Sequence, residues 1–475
     1  MRQEKVIRID EFDNFKNLDA VKAKSFYNFN PVHGLHSSMG VGVARLPADK
    51  GLTDNKYELN LSNLNGADVE GVIVFKQYSD YSGQEYRLLL YGSDGKLYMN
   101  QMFYGFNTLY WVYENLQFND PPIALTYKKN DLDVIVLASK DKMMVWRTNF
   151  SPYVVEDAPI ITSMCYYDDI LICTIVEPGY KLWYSTDFSA DNVGNISVTS
   201  NYISLDDELG YARKIINFDE AVYVFRDYGI TKVNHINNKF TTSTIYTTNT
   251  QILHNTISVC GNQVLFMTRD GLYTFNGIKV SKAEVDIDDM LTGLKGGEVA
   301  GSLGNKYYLA LRLNFNDGKQ VLCEENEFVN NAVIVINIDD FSYQIIRGID
   351  VKSFCACKTE YFEDMLVVFN GQHKDKLGQM INVSKCFDQN LPKYWCSGPI
   401  GNNGKSKLLT RITVLADKDV KFNLLSETDS LSFTTYKTGL NEFTFKLSAK
   451  MARLEISSEC ESANIEDINL EYYEY

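Results

Sequence analysis

Short runs of apolar residues recur along the whole chain, and each has the length of a β-strand. Some runs alternate with polar residues and others are continuous, which is typical of strands buried on one face or on both faces. The clearest runs lie at residues 72–75, 86–90, 134–137, 170–173, 222–225, 264–267, 307–311, 333–336 and 366–369. This pattern predicts an all-β protein.

Most of these runs lead into a tight-turn signal and then into a second strand that carries an aromatic residue. Gly, Asn and Asp accept the positive φ that hairpin turns need, so each signal predicts a β-hairpin. The turns lie at residues 93–95, 140–142, 177–179, 226–229, 269–271, 316–318 and 369–371. Their spacing of about 37 to 53 residues matches the period of a four-stranded propeller blade. We expect a β-propeller with six or seven blades, because a closing blade can take strands from both chain ends.

The two ends of the chain follow other patterns. Residues 1–60 carry clustered charges and a Gly- and Ser-rich stretch, which predicts an extended N-terminal arm. A breaker-rich segment at 395–405 predicts a domain boundary, and the alternating strands after it predict a small antiparallel β-sandwich of jelly-roll type. The predicted domains are therefore the arm at 1–60, the propeller at 61–397 and the sandwich at 398–475. Residues 284–294 predict a short helix inserted between blades.

Charge narrows the possible functions. The chain has 61 acidic and 46 basic residues, a formal net charge of −15, which argues against a protein that binds nucleic acid by neutralising phosphates. An acidic wall would instead let DNA slide past it. No apolar run approaches the length of a membrane span, and the first residues lack the apolar core of a secretory signal. We expect no membrane span and no Sec-dependent export.

The best metal-like group consists of cysteines and one histidine. Cys355 and Cys357 precede His373, Cys386 and Cys396, but a structural zinc site usually shows two tight ligand pairs. We therefore expect buried thiols, with a zinc site as the alternative. His33 and His36 form a second pair, for which we expect a solvated or interface role. The sequence thus predicts no metal and no cofactor.

No catalytic group stands out either. Asp94, Asp227 and Asp270 lie at turn signals, and residues 268–275 loosely resemble the Asp-box of sialidases, but here the glycine follows the aspartate directly. Turn chemistry explains these aspartates without catalysis. Glycoside hydrolysis needs two carboxyl groups about 5 to 10 Å apart, and no motif singles out such a pair. We therefore predict no catalytic residues and a protein that is not an enzyme.

The order of parts resembles a known family. The N-terminal arm, the hairpin at 263–277, the strand at 306–311 and the β segment ending near 453–456 are similar to the tail nozzle and packaged-DNA stabilisation (head-completion) proteins of short-tailed bacteriophages. The resemblance covers about residues 60–475. It implies a non-enzymatic virion component, made in the cytoplasm of the host bacterium and located in the tail.

The same resemblance implies partners. Copies of the chain would form a ring, such as a hexamer, against the portal or other tail proteins. Such a nozzle, conduit or plug would retain packaged DNA and let it pass at ejection. Six copies at −15 each would carry about −90, which would keep the passing DNA mobile.

Two other functions remain open from the sequence. The aromatic content and the jelly-roll-like end are compatible with a carbohydrate-binding or glycoside-hydrolysing propeller protein, for example a phage adhesin. An intracellular propeller scaffold is the third possibility.

Overall fold

The computed structural model describes most of the chain. The described residues are 4–9, 12, 23–79, 83–102, 110–111, 117–129, 132–147, 151–185, 201–205, 207–237, 239–315, 317, 319, 325–400 and 405–474. Their regular structure is almost entirely β, as predicted.

Seven antiparallel sheets follow one another along the chain as propeller blades. The first three blades consist of Val69–Ser79, Gly83–Gly92, Leu97–Gln101 and Tyr110–Trp111; Ile123–Lys129, Leu132–Ala138, Met143–Arg147 and Tyr153–Val155; and Ile161–Tyr167, Ile170–Ile175, Lys181–Ser185 and Tyr202–Ser204. Blades 4 and 5 consist of Ala212–Phe218, Ala221–Arg226, Gly229–Ile236 and Lys239–Thr247; and Ile252–Cys260, Gln263–Thr268, Gly271–Phe275 and Val280–Lys282.

Blades 6 and 7 complete the ring. Blade 6 consists of Val299–Leu303, Lys306–Leu311, Ala332–Asn337 and Tyr343–Arg347, and blade 7 of Val351–Lys358, Glu363–Phe369 and Leu377–Ile381. The N-terminal strand Gly40–Val43 adds to blade 7, antiparallel to its third strand, and the short strands Lys385–Cys386 and Gln389–Asn390 extend the sheet. The first strand of every blade contacts that of the next, and blade 7 contacts blade 1, so the ring is closed.

The seven turn signals map one to a blade. Each lies between the second and third strands of its blade, and residues 316 and 318 of the blade 6 signal lie outside the described residues. The described turns are on the face of the disc where the first strands begin, here called the entry face. Most of the apolar runs are second strands, which lie in the middle of a blade between two neighbouring blades. Ile170–Ile175 and Ala221–Arg226, for example, are buried along their whole length. Continuous apolar sequence is what burial on both faces requires.

Two further sheets form the β-sandwich. One has the order Glu4–Ile9, Ile465–Glu474, Lys407–Ala416 and Gly439–Ala449. The other has the order Ala23–Tyr27, Lys393–Ser397, Arg453–Ser458, Lys421–Leu425 and Ser430–Thr434. Residues 1–60, which we expected to form an arm, thus supply one strand to each sandwich sheet and one to blade 7. Short pairs join Phe29–Asn30 with His36–Ser37 and Arg45–Pro47 with Lys56–Glu58.

The sandwich and the junction of blades 5 and 6 share one hydrophobic core. Trp395 and Phe26 of the sandwich belong to the same buried cluster as Leu265 of blade 5 and Ile345 of blade 6. The predicted insertion between blades is the 3-10 helix Asp288–Gly293, and its Leu291 packs into this cluster. Among the described residues, the shorter 3-10 helices are Ser62–Leu64, Glu325–Glu327 and Gly371–His373. No helix among the described residues has the length and apolar character needed to cross a membrane.

Candidate functional site

The aspartates of the entry face hold the turns in place. Asp94 accepts hydrogen bonds from the Tyr98 hydroxyl at 2.7 Å and the Lys96 N–H at 3.2 Å. Asp270 accepts hydrogen bonds from the hydroxyls of Thr268 and Tyr273. These contacts lie within single turns, as expected for turn residues.

β-bulges interrupt the first strands of five blades at the entry face. Single extra residues lie at Glu70, Thr162, Arg213 and Lys352, and blade 5 has a larger irregularity at 254–257. A bulge bends a strand and redirects the side chain at the extra position. Glu70 and Lys352 therefore lie at the entry-face mouth of the propeller axis, whereas Thr162 and Arg213 line a groove between blades 3 and 4.

A cavity of about 670 Å³ lies on this axis, among the first strands of the blades. Its wall includes apolar side chains such as Ile73 and Phe354 and the polar residues Lys214, Asn255 and Lys352. Lys352 forms an ion pair with Glu70, which also lines the cavity. The axial cavity therefore combines an apolar wall with a few polar groups, as small-molecule sites do.

Lys214 is a half-buried lysine in the wall of the axial cavity. Its ammonium group donates to the Ile257 carbonyl at 2.6 Å, and burial lowers its pKa to about 8. No carboxylate among the described residues forms an ion pair with it. Burial, together with the charges of Arg213 and Lys214, also lowers the pKa of neighbouring His254. The Lys214 ammonium thus has two N–H groups left to donate.

A groove of about 550 Å³ opens on the entry face between blades 3 and 4 and is here called the tyrosine groove. It is lined by residues 175–180 of blade 3 together with Thr162, Tyr211, Ala212 and Arg213. Tyr180 and Tyr211 are about half exposed, at 47% and 51%. Gly179 lets the Tyr211 ring pack close to the blade 3 turn, because a Cβ at this position would lie 2.9 Å from that ring. The groove therefore contains two half-exposed tyrosine side chains.

Ionic contacts fix the floor of the tyrosine groove. Arg213 Nε donates to Asp227 Oδ1 at 2.7 Å, and its guanidinium carbon lies 5.3 Å from the centre of the Tyr211 ring. Burial alone would raise the pKa of Asp227, but hydrogen bonds from Arg213 and the Tyr211 N–H lower it overall. This carboxylate is therefore ionised at neutral pH and engaged by Arg213.

The buried Arg226 holds the segment that carries Tyr211. Its side chain is fully buried, pairs with Asp207 and donates to the Gly210 carbonyl at 2.7 Å. Gly210 has φ +80°, and a Cβ there would meet the Asp227 side chain at 2.7 Å. Arg226 is thus a positioning residue for the tyrosine groove.

The structure places most of the candidate metal ligands in different parts of the fold. Cys355 and Cys357 pack in the core between blades 7 and 1, Cys386 in a second cluster and Cys396 in the sandwich core. His373 makes edge-to-face ring contacts with Phe369 and Phe387. Among the described residues, no group of three or more His, Cys, Asp or Glu side chains has the geometry of a metal site. Burial raises the pKa of the Cys386 thiol to about 12.

The second histidine pair lies at the boundary with the sandwich. His36 Nδ1 lies 3.0 Å from Asn464 Oδ1, and its Nε2 lies 3.3 Å from the His33 carbonyl. His36 therefore joins the N-terminal segment to the sandwich.

Sequence reasoning did not identify the tyrosine groove or Lys214. One signal was present for the groove: the blade 3 turn, Glu177-Pro178-Gly179-Tyr180, carries an aromatic residue directly after its glycine. For Lys214 no local signal existed, because its burial depends on the neighbouring blade.

Comparisons with known proteins assign no family to this chain. No family model matches it, and no curated protein matches it. Among solved structures it is similar to one described as an ancestral GH74 enzyme, with 12% identity and a TM-score of 0.46. That match covers 78% of this chain and 59% of the solved chain, so this chain spans less than two thirds of that structure.

This comparison corrects one prediction. We expected a protein that is not an enzyme, and the structural neighbour is an enzyme, so that expectation is withdrawn. At this level of similarity the match assigns no activity to the present chain.

Proposed function

We propose that this chain is a structural subunit of a bacteriophage tail, where copies form a ring that retains packaged DNA and lets it pass at ejection. The observation that carries the proposal is the interlocking of the two chain ends. Glu4 pairs with Tyr473 on neighbouring strands of one sandwich sheet, and Gly40–Val43 closes blade 7. The propeller and the sandwich therefore share a single N-terminal segment.

Interlocking of the chain ends suits a subunit that must resist the pressure of packaged DNA. Opening blade 7 would expose the edge of its third strand, while the strands Glu4–Ile9 and Ala23–Tyr27, which precede the closing strand, remain anchored in the two sandwich sheets. A closed ring of blades also leaves few free sheet edges. The net charge of −15 adds a second argument, since an acidic conduit does not retain phosphates.

Electron microscopy of the purified full-length chain, with mass spectrometry of purified particles, tests this proposal. We expect closed rings of copies and the presence of the chain in tails. A chain that stays monomeric at all concentrations and is absent from particles would contradict it.

A second candidate function is carbohydrate binding, and the tyrosine groove favours it. Sugar rings present apolar C–H faces that pack on exposed aromatic rings, while their hydroxyl groups need polar partners nearby. Tyr180 and Tyr211 supply the rings, and Thr162 and Glu177 supply polar groups in the same groove. This arrangement fits an adhesin, with or without turnover of the bound sugar.

A glycan array and a turnover assay against bacterial cell-wall sugars test the second candidate. Tyr211→Ala should weaken binding about tenfold or more, as for other buried aromatic contacts. Tyr436→Ala is the matched control, because Tyr436 is 60% exposed on the sandwich. No signal from the unmodified chain in either assay, or equal losses in both variants, would exclude this candidate.

A further inference from the structure

Among the described residues that line the axial cavity, one positive charge has no ion-pair partner. Glu70 and Lys352 neutralise each other, and Arg213 is engaged by Asp227 outside the cavity wall. Lys214 remains, with a carbonyl oxygen as its hydrogen-bond partner. A partly desolvated ammonium group without a nearby counter-charge is unfavourable, and an anion at this point would relieve the cost.

The cavity also has the other attributes of a ligand site. Its volume of about 670 Å³ lies within the usual range for small-molecule pockets, about 300 to 1,000 Å³. The irregularity at 254–257 brings Asn255 into the cavity wall, and its amide supplies a further donor. Phe354 and Ile73 provide an apolar surface for the body of a ligand.

We propose that the axial cavity binds a small oxyanion-bearing ligand, a carboxylate or a phosphate, through the Lys214 ammonium group and the Asn255 amide. The ligand enters from the entry face, where the bulges at Glu70 and Lys352 leave the mouth polar. This site does not depend on the proposed tail function or on the tyrosine groove.

Isothermal titration calorimetry on the full chain tests the proposal with two probes, inorganic phosphate and glucuronate, and with glucose as the uncharged control. We expect at least one anion to bind and glucose not to bind at the same site. The probe that binds more tightly identifies the oxyanion class. Binding of neither anion at millimolar concentration would overturn the proposal.

Two substitutions make the test specific. Lys214→Met should lower the affinity for the anion about tenfold or more, because it removes the charged donor. Lys232→Met is the matched control, since Lys232 is a half-buried lysine of the same blade on its third strand, away from the axis. Equal affinity of the two variants would overturn the proposal.

A measurement on the unmodified chain covers the case in which Lys214→Met does not fold. Amine acetylation is followed at single lysines by mass spectrometry, with and without phosphate or glucuronate. The bound anion should slow the modification of Lys214 and leave that of Lys232 unchanged. Equal protection of both lysines, or none, would count against an axial site.

Discussion

Two junctions of the propeller differ in their exposure to solvent. The junction between blades 3 and 4 contains the buried Arg226, and the junction of blade 6 with the sandwich contains the buried Arg347. Both arginines lie near the entry face. Arg347 is bound by Glu325 and Asp317, whose side chains are 4% and 8% exposed, whereas the Asp207 partner of Arg226 is 40% exposed. The sandwich covers the surroundings of Arg347, whereas solvent reaches those of Arg226.

The difference shows where the molecule is closed and where it is open. Around Arg347, the rings of Phe315 and Tyr27 complete the enclosure and join the propeller to the sandwich. Around Arg226, the held segment ends in the exposed Tyr211. The closed junction provides rigidity, and the open junction provides a surface that a ligand can reach.

The largest effect is expected at the closed junction. Arg347→Met leaves two buried carboxylates without their cation and should lower the free energy of unfolding by about 3–5 kcal/mol. Chemical denaturation followed by tryptophan fluorescence measures it, since Trp395 lies in the shared core. A loss below about 1 kcal/mol would show that the Arg347 cluster does not hold the two units together.

The equivalent change at the open junction should cost less. Arg226→Met leaves the Gly210 carbonyl without its donor, but Asp207 can turn to water, so we expect a loss of about 1–3 kcal/mol. Hydrogen exchange should also rise in residues 205–211. Equal losses of unfolding free energy in Arg226→Met and Arg347→Met would contradict the proposed difference between the two junctions.

Each region contains one lysine whose pKa burial lowers to about 8, Lys214 beside the open junction and Lys393 in the sandwich. Between pH 8 and about 10.4 the unfolded state binds more protons than the folded state, so stability should rise with pH in this window. Lys214→Met should remove on the order of 1–2 kcal/mol of this rise. Melting temperatures of the unmodified chain and of Lys214→Met at pH 7.5 and 10 measure this difference. An equal change in melting temperature with pH in the two proteins would contradict the lowered pKa of Lys214.

The smallest effect concerns the hairpins between first and second strands. Blade 4 turns through Asp219 and Glu220, both with positive φ, whereas blades 5 and 6 place Gly261 and Gly304 at the first turn position. A non-glycine residue at positive φ costs about 1 kcal/mol or more, so Glu220→Gly should stabilise by about 0.5–1 kcal/mol.

Thermal unfolding of the Glu220→Gly variant measures this gain. The control is Gly261→Ala, which should destabilise because its φ is +56° and the new Cβ would lie 2.8 Å from Ile338 Cδ1. Destabilisation by both changes would show that Glu220 is not strained.

The sequence predicted the repeating unit well because the repeat is local. A blade is built from consecutive strands, so apolar runs and Asp-Gly turns such as Asp270-Gly271 report it directly. The roles of residues 1–60 were not predicted, since the pairing of Glu4 with Tyr473 depends on contacts across the whole chain. The site was missed for the same reason: Tyr211 and Lys214 gain their surroundings from a neighbouring blade.

Electron microscopy of the full-length chain is the decisive test of the proposed ring. We expect closed rings in which every copy keeps its propeller and sandwich as one interlocked body. Single, separate copies at every concentration, with propeller and sandwich moving independently, would contradict it.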